Sequence, residues 1–242
     1  MTVDGGSYVT DGKGSPVIYS TADITVNDAS LTSTSSQGIV VEGKNSVTLN
    51  NVELVASNIS KNSDKSDYYQ AVMIYQSMSG DADEGLASFT MNGGNLTNKN
   101  GDIFFVNNTV AEITLNNATI TNESDGVFLR AMAAGWGNEG SNGGQVTLQA
   151  TNQTINGDMI IDEVSNLNLY LNEASTFTGS INSNNEGGKV YVELDTDSKW
   201  VLTEDSYITS LTCDIDEAAS PMAEQSSWVP YPTALQPGTF SQ

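Results

Sequence analysis

Along this chain, short runs alternate apolar and polar residues, and one such run returns almost unchanged. Asp23-Ile24-Thr25-Val26-Asn27-Asp28 is followed by Ser46-Val47-Thr48-Leu49-Asn50-Asn51, then by Ser88-Phe89-Thr90-Met91-Asn92-Gly93 and Glu112-Ile113-Thr114-Leu115-Asn116-Asn117. A degraded copy is Gln145-Val146-Thr147-Leu148, and weaker continuations begin at Leu167 and Val190. Taking Ile24, Val47, Phe89, Ile113, Val146, Leu167 and Val190 as equivalent gives intervals of 23, 42, 24, 33, 21 and 23 residues. A unit of 21–24 residues is therefore interrupted twice by extra length.

Alternation with a period of two is the mark of a strand with one buried face. Ile24 and Val26 are expected to point inward and Thr25 outward. Seven residues after each phrase begins, a second apolar residue recurs at Leu31, Leu54, Leu96 and Ile120, beyond an Asn/Asp/Gly turn. Those residue types tolerate the left-handed backbone that a sharp bend requires. A third apolar run precedes the next phrase: Val17–Tyr19, Ile39–Val41, Val72–Tyr75, Ile103–Val106, Val127–Leu129 and Met159–Ile161. Three short strands per unit predict an all-β, single-stranded parallel β-helix of about seven coils, a rod roughly 34 Å long at roughly 4.8 Å per coil. Leucine-rich repeats share the period but need a helical segment, and no sustained 3.6-residue pattern is present. A β-sandwich has short strands but not a repeated phrase in constant phase.

The pattern divides the chain into a β-helix domain at 1–213 and a non-repetitive tail or cap at 214–242. Four of the five prolines fall after residue 220. Trp228, Tyr231 and Phe240 are candidates to cover the open end of the core, since an uncapped solenoid exposes strand edges. Six N-x-S/T sequons occur, at Asn58, Asn95, Asn107, Asn117, Asn122 and Asn152, mostly at turn positions, where asparagine as a turn former explains them.

Charge narrows the function classes. Thirty acidic residues against eight basic ones leave a formal net charge of −22, and there is no histidine. Such a field repels nucleic acid and anionic membrane surfaces and attracts cations. One cysteine, Cys213, excludes an intrachain disulfide, and no apolar run is long enough to span a bilayer. The N-terminus has no signal-peptide character, so the chain reads as a piece of a longer precursor whose targeting and anchoring segments lie elsewhere.

Insertions in a solenoid map to loops and often to the binding face. One unit carries a long entry, Asn58 to Tyr69, and an exit loop, Ser77 to Ala87; another carries Ala131 to Gly144. The exit loop and the later insertion follow equivalent strands two coils apart, so they are expected to project from one edge about 10 Å apart and to wall a groove. The contents suit a sugar. Trp136 is the expected stacking platform, with Tyr68, Tyr69 and Tyr75 near the other insertion and Arg130, Glu139 and Asn142 as polar partners. The competing use of Trp136 is to fold back over its own loop or the core. Asp81, Asp83 and Glu84 offer oxygen ligands to a hard cation such as Ca²⁺, although a solvated acidic loop is the commoner use of such a run.

Enzymatic readings are thin. Nucleophilic triads lack their usual histidine base. A lyase would need Arg130, the only arginine, and a hydrolase a carboxylate pair such as Asp81 or Asp83 with Glu139. Ice binding would need a flat two-dimensional array. The file Thr25, Thr48, Thr90, Thr114 and Thr147 is one residue wide, and the strand propensity of threonine explains it.

The repeated Ile/Val-Thr-Val/Leu-Asn-Asn phrases, with Gly38-Ile-Val-Val-Glu-Gly43 and Ser124-Asp-Gly-Val-Phe-Leu129, resemble the secreted pectate-lyase-like β-helix proteins of clostridia and other gut Firmicutes known as carbohydrate-binding domain proteins. The resemblance covers about residues 5–212 and is one of repeat style. It implies a right-handed coil and a bacterial cell-surface or secreted module that binds a plant cell-wall or host polysaccharide with bound calcium, acidic pectin included. No binding residue of the family maps onto a position here. The expectation is a non-catalytic polysaccharide-binding module. The alternatives are a protein-binding adhesin or stalk, and a lyase or hydrolase of β-helix fold. The sequence says nothing of oligomeric state.

Overall fold

A computed structural model of the protein describes residues 1–61, 63–213, 233–235 and 238–240. The strands stack in three parallel series, as a parallel β-helix requires. The first sheet has nine strands in chain order, from Thr2–Asp4 through Ile24–Asn27, Ser46–Asn50, Leu86–Asn92, Thr109–Asn116, Gly144–Thr151, Asn166–Asn172 and Val190–Leu194 to Ser210–Cys213. The second series runs from Ser7–Thr10 to Thr119–Asn122 and resumes at Thr154–Asn156; the third runs from Ile18–Ser20 to Met159–Ile161. The first sheet has two strands beyond the seven phrases read from the sequence: Thr2-Val3-Asp4, a truncated phrase that pairs with Thr25-Val26-Asn27, and Ser210–Cys213, which pairs with Val190–Leu194. Nine strands span about 38 Å.

The predicted register holds at Ile24, Val47, Phe89 and Ile113. The next pairing corrects it by two residues: Ile113 lies opposite Leu148, and Val146 lies opposite Ala111. A slip of two leaves every side chain on its own face, so alternation cannot detect it. The strands Thr109–Asn116 and Gly144–Thr151 pair along all eight residues, which decides the matter. Thr147 therefore faces Glu112, and the threonine file ends at Thr114, opposite Gln149.

The turns behave as their composition predicts. Asp28, Asn51, Asn117 and Asn152 have φ of 48–52° and Gly93 has 63°, all left-handed. The asparagine before each turn has a second use. Asn27, Asn50, Asn92 and Asn116 form a ladder in which each Nδ2 donates to the side-chain Oδ1 one coil earlier, at 2.6–2.7 Å, beginning at Asp4. The sequon residues Asn58 and Asn107 are fully buried.

Inside the coil the apolar residues form one continuous core. Phe89, Phe104 and Phe128 pack edge to face with centroids 5.5 Å apart, and Phe177 stacks on Trp200 at 5.7 Å. The third sheet differs from the other two. Every residue of Ile39–Glu42, Gln70–Tyr75 and Asp102–Asn107 is buried, so these strands are covered on both faces. Their near-continuous apolar sequences are what two-sided burial demands. The outer cover is a second small core of Val40, Met73, Tyr75, Phe105 and Trp136, flanked by Tyr68, Met132 and Ala134.

At the far end, Gly238–Phe240 pairs antiparallel with Lys199–Leu202, and Thr233–Leu235 with Ser206–Ile208. Trp228 and Tyr231, expected in the cap, lie outside the described residues, as do 214–232 generally.

Candidate functional site

The two insertions leave the same edge of the third sheet. The exit loop follows Gln70–Tyr75 and the later loop follows Leu129–Ala131, with Asp102–Asn107 between them. They wall a cleft of about 350 Å³. One side is Met78, Glu84 and Gly85; the other is Gly137, Asn138, Ser141 and Gly143. Asn108, Thr109 and Val110 lie between, with Gln76 and Gln145 completing the lining.

Asn108 ties the two walls together. Its backbone is left-handed at φ 53°, its Nδ2 donates to Gln76 O at 2.9 Å, and its N–H donates to Asn142 O at 2.9 Å. Gly137, also left-handed, packs so closely on the Asn108 side chain that a Cβ would lie 2.2 Å from Oδ1. The exit loop is closed by Gln76, whose Nε2 donates to Ser77 O at 2.8 Å and Ala82 O at 3.2 Å, while its buried Oε1 has no partner among the described residues. Across the cleft, Asn142 Nδ2 donates to Ala134 O and Trp136 O at 2.7 and 2.8 Å. Buried Asn107 donates to Met132 O and Asn142 O at 2.8 and 2.9 Å. These bonds use backbone carbonyls that a loop would otherwise leave to water.

Several expected ligand contacts are corrected by this arrangement. Trp136 is only 7% exposed and packs against Tyr75 at 5.1 Å between ring centroids, with Lys65 Nζ 5.7 Å from its own centroid. It backs the cleft wall and offers no face to a ligand, because the outer face of the third sheet is the larger apolar surface available to it. Tyr75 is buried beside it, its hydroxyl 2.6 Å from that of Tyr19, which also donates to buried Glu42. Burial pushes the Tyr75 phenol above its ordinary range, and burial with the Glu42 hydrogen bond does the same to Tyr19. Asn142 is buried, and its Nδ2 is spent on the loop backbone.

Arg130 is also committed elsewhere. Its Nε donates to Asp102 Oδ2 at 2.6 Å and its Nη2 to Oδ1 at 3.3 Å, with side chains only 13% and 4% exposed. The guanidinium lies 4.0 Å from the Tyr68 ring centroid, a cation–π contact that seats the entry insertion. Tyr69 is half-buried, and its carbonyl accepts from Asp102 N at 2.8 Å. The entry and later insertions meet where Gly135 N donates to Lys65 O at 2.8 Å, with no space for a Cβ.

Of the residues singled out from sequence, Glu84 lines the cleft and Glu139 is exposed on the loop that supplies Asn138 and Ser141. Asp83 pairs with Lys44 at 2.8 Å, a hydrogen bond that lowers its carboxyl below the ordinary range. Among the described residues Asp81, Asp83 and Glu84 do not gather into a common ligand set, whereas Ca²⁺ takes six to eight oxygens. The amides of Gln76, Asn108, Asn138 and Gln145 escaped sequence reasoning. Their only signal was position, at the strand ends bordering the two insertions.

No protein-family model matches the chain, and no curated protein and no solved structure matches it.

Proposed function

We propose that the protein is a non-catalytic polysaccharide-binding module of the bacterial cell surface or secretome, and that the cleft between the two insertions is its binding site. The observation that carries this reading is the chemistry of the lining. Gln76, Asn108, Asn138 and Gln145 contribute amides, and Thr109 and Ser141 contribute hydroxyls. Groups that both donate and accept match sugar hydroxyls, which do the same. Met78 and Val110, 59% and 52% exposed, add apolar surface for the C–H face of a pyranose. Among the described residues Glu84 is the one carboxylate in the lining, and glycoside hydrolysis takes a pair, which favours binding over cleavage. The repeat-style resemblance described above points the same way.

Affinity electrophoresis through pectin, cellulose derivatives, xylan and mucin tests the reading. Retardation by at least one glycan is expected, with Val110→Asp and Asn138→Ala each reducing it about tenfold. Both positions are exposed, so the fold should survive the changes. Absence of retardation on every matrix removes the glycan reading and leaves the protein-binding adhesin.

A further inference from the structure

Resting on that reading, we infer that the cleft selects by charge and takes a neutral stretch of polysaccharide, rejecting uronate-bearing chains. Among the described residues the only charged side chain in the lining is the acidic Glu84, and the chain around it carries a net charge of −22. An anionic glycan needs a cation to receive it, usually arginine or lysine. The basic groups nearest the insertions are already engaged. Lys44, against which Gly85 packs, is paired with Asp83; Lys65 sits over Trp136; Arg130 closes on Asp102 in a largely buried pair. Lys61 and Lys99 are paired with Asp67 and Glu123. A carboxylate entering the cleft would meet amides, hydroxyls, two apolar side chains and one like charge.

A bridging calcium ion would be the way round this repulsion, and the acids of the exit loop are not arranged to supply one. Asp83 is held by Lys44, and Asp81, Asp83 and Glu84 do not form a single donor set among the described residues. The amides have no such difficulty with a neutral sugar, since each can donate to one hydroxyl and accept from another. The acidic field therefore acts as a filter, and the polar lining acts as the receptor.

The experiment uses glycans matched in backbone and different in charge: hydroxyethylcellulose against carboxymethylcellulose, and fully methyl-esterified homogalacturonan against its de-esterified form. Binding of the full chain is measured by affinity electrophoresis at low and high salt, with chelator and with calcium. The neutral member of at least one pair should bind at least about tenfold more tightly than its charged partner at low salt. That gap should narrow at high salt, where charges separated by more than about 3–10 Å are screened, and narrow again in Glu84→Gln. A charged member that binds as well as its neutral partner, with chelator or with calcium, overturns the inference and leaves the glycan reading standing. A gap unmoved by both salt and Glu84→Gln also overturns it, since the discrimination would then be steric. If no glycan of either kind binds, the polysaccharide reading itself fails.

Discussion

Replacing Trp136 with alanine separates a structural tryptophan from a ligand-stacking one. A buried tryptophan removes about 150–250 Å² from water. At about 25 cal/mol per Å² this amounts to about 4–6 kcal/mol. Trp136 lies on the outer side of the third sheet, where the loop can partly collapse, so the expected cost sits near the lower end of the range for such truncations, about 3 kcal/mol. For a chain of this size that corresponds to a fall of roughly 6–12 °C in midpoint. Because a solenoid transmits stability between neighbouring coils, the loss should concentrate where the ring packs. Amide hydrogen exchange should therefore rise in Gln70–Tyr75 and Asp102–Asn107, which Trp136 and its neighbours cover. Exchange in Val190–Leu194, several coils away, should stay put. Trp136→Phe should recover most of the lost midpoint. A loss below about 1 kcal/mol, with exchange unchanged in those two strands, would refute the assignment of Trp136 to the outer core.

Arg130→Ala leaves Asp102, whose side chain is 4% exposed, without its partner, and should cost about 3–5 kcal/mol in chemical denaturation. The double variant Arg130→Met with Asp102→Leu should recover part of it, since Asp102 Oδ1 also accepts from Val127 N at 2.9 Å; recovery of nothing would mean that this hydrogen bond and the packing around Tyr68, not charge, set the cost. Asn92→Ala removes one hydrogen bond given to Asn50 and one received from Asn116, for a loss of about 1–2 kcal/mol. An unchanged denaturation midpoint would discount the asparagine ladder. Tyr19 and Tyr75 have raised folded-state phenol pKa values, so their contribution is complete below the ordinary value near 10 and falls away as pH rises beyond it, where the unfolded chain loses these protons first. Midpoints should drop steeply above about pH 10, and less steeply in Tyr75→Phe; parallel curves for the two proteins would refute this.

How far the sequence could be read is clearest at particular residues. Leu31, Leu54, Leu96 and Ile120 were legible as one inward file, and the structure pairs them in that register. Turn asparagines were legible because left-handed backbone restricts residue choice so strongly. The cleft was legible only as a place, from two interruptions in constant phase. Its lining was not, because Gln76, Asn108 and Gln145 resemble any other polar residue at a strand end. Trp136 misled for a related reason: glycines on both sides suggest an open loop, whereas they permit close packing against Lys65 and Asn108.

The sequence by itself determined the coil, since a period of two within a period near 23 fixes which side chains face inward and where the chain must bend. Tertiary structure decided what that periodicity leaves degenerate. It set the two-residue register at Ile113 and Leu148, which alternation cannot sense. It also turned the insertions back onto the third sheet, burying its outer face, because contacts between residues 30 to 60 positions apart carry no local pattern. The cleft is what remains open between the exit loop, whose Met78 and Leu86 stay exposed, and the later loop, whose Met132, Ala134 and Trp136 have been drawn into that second core.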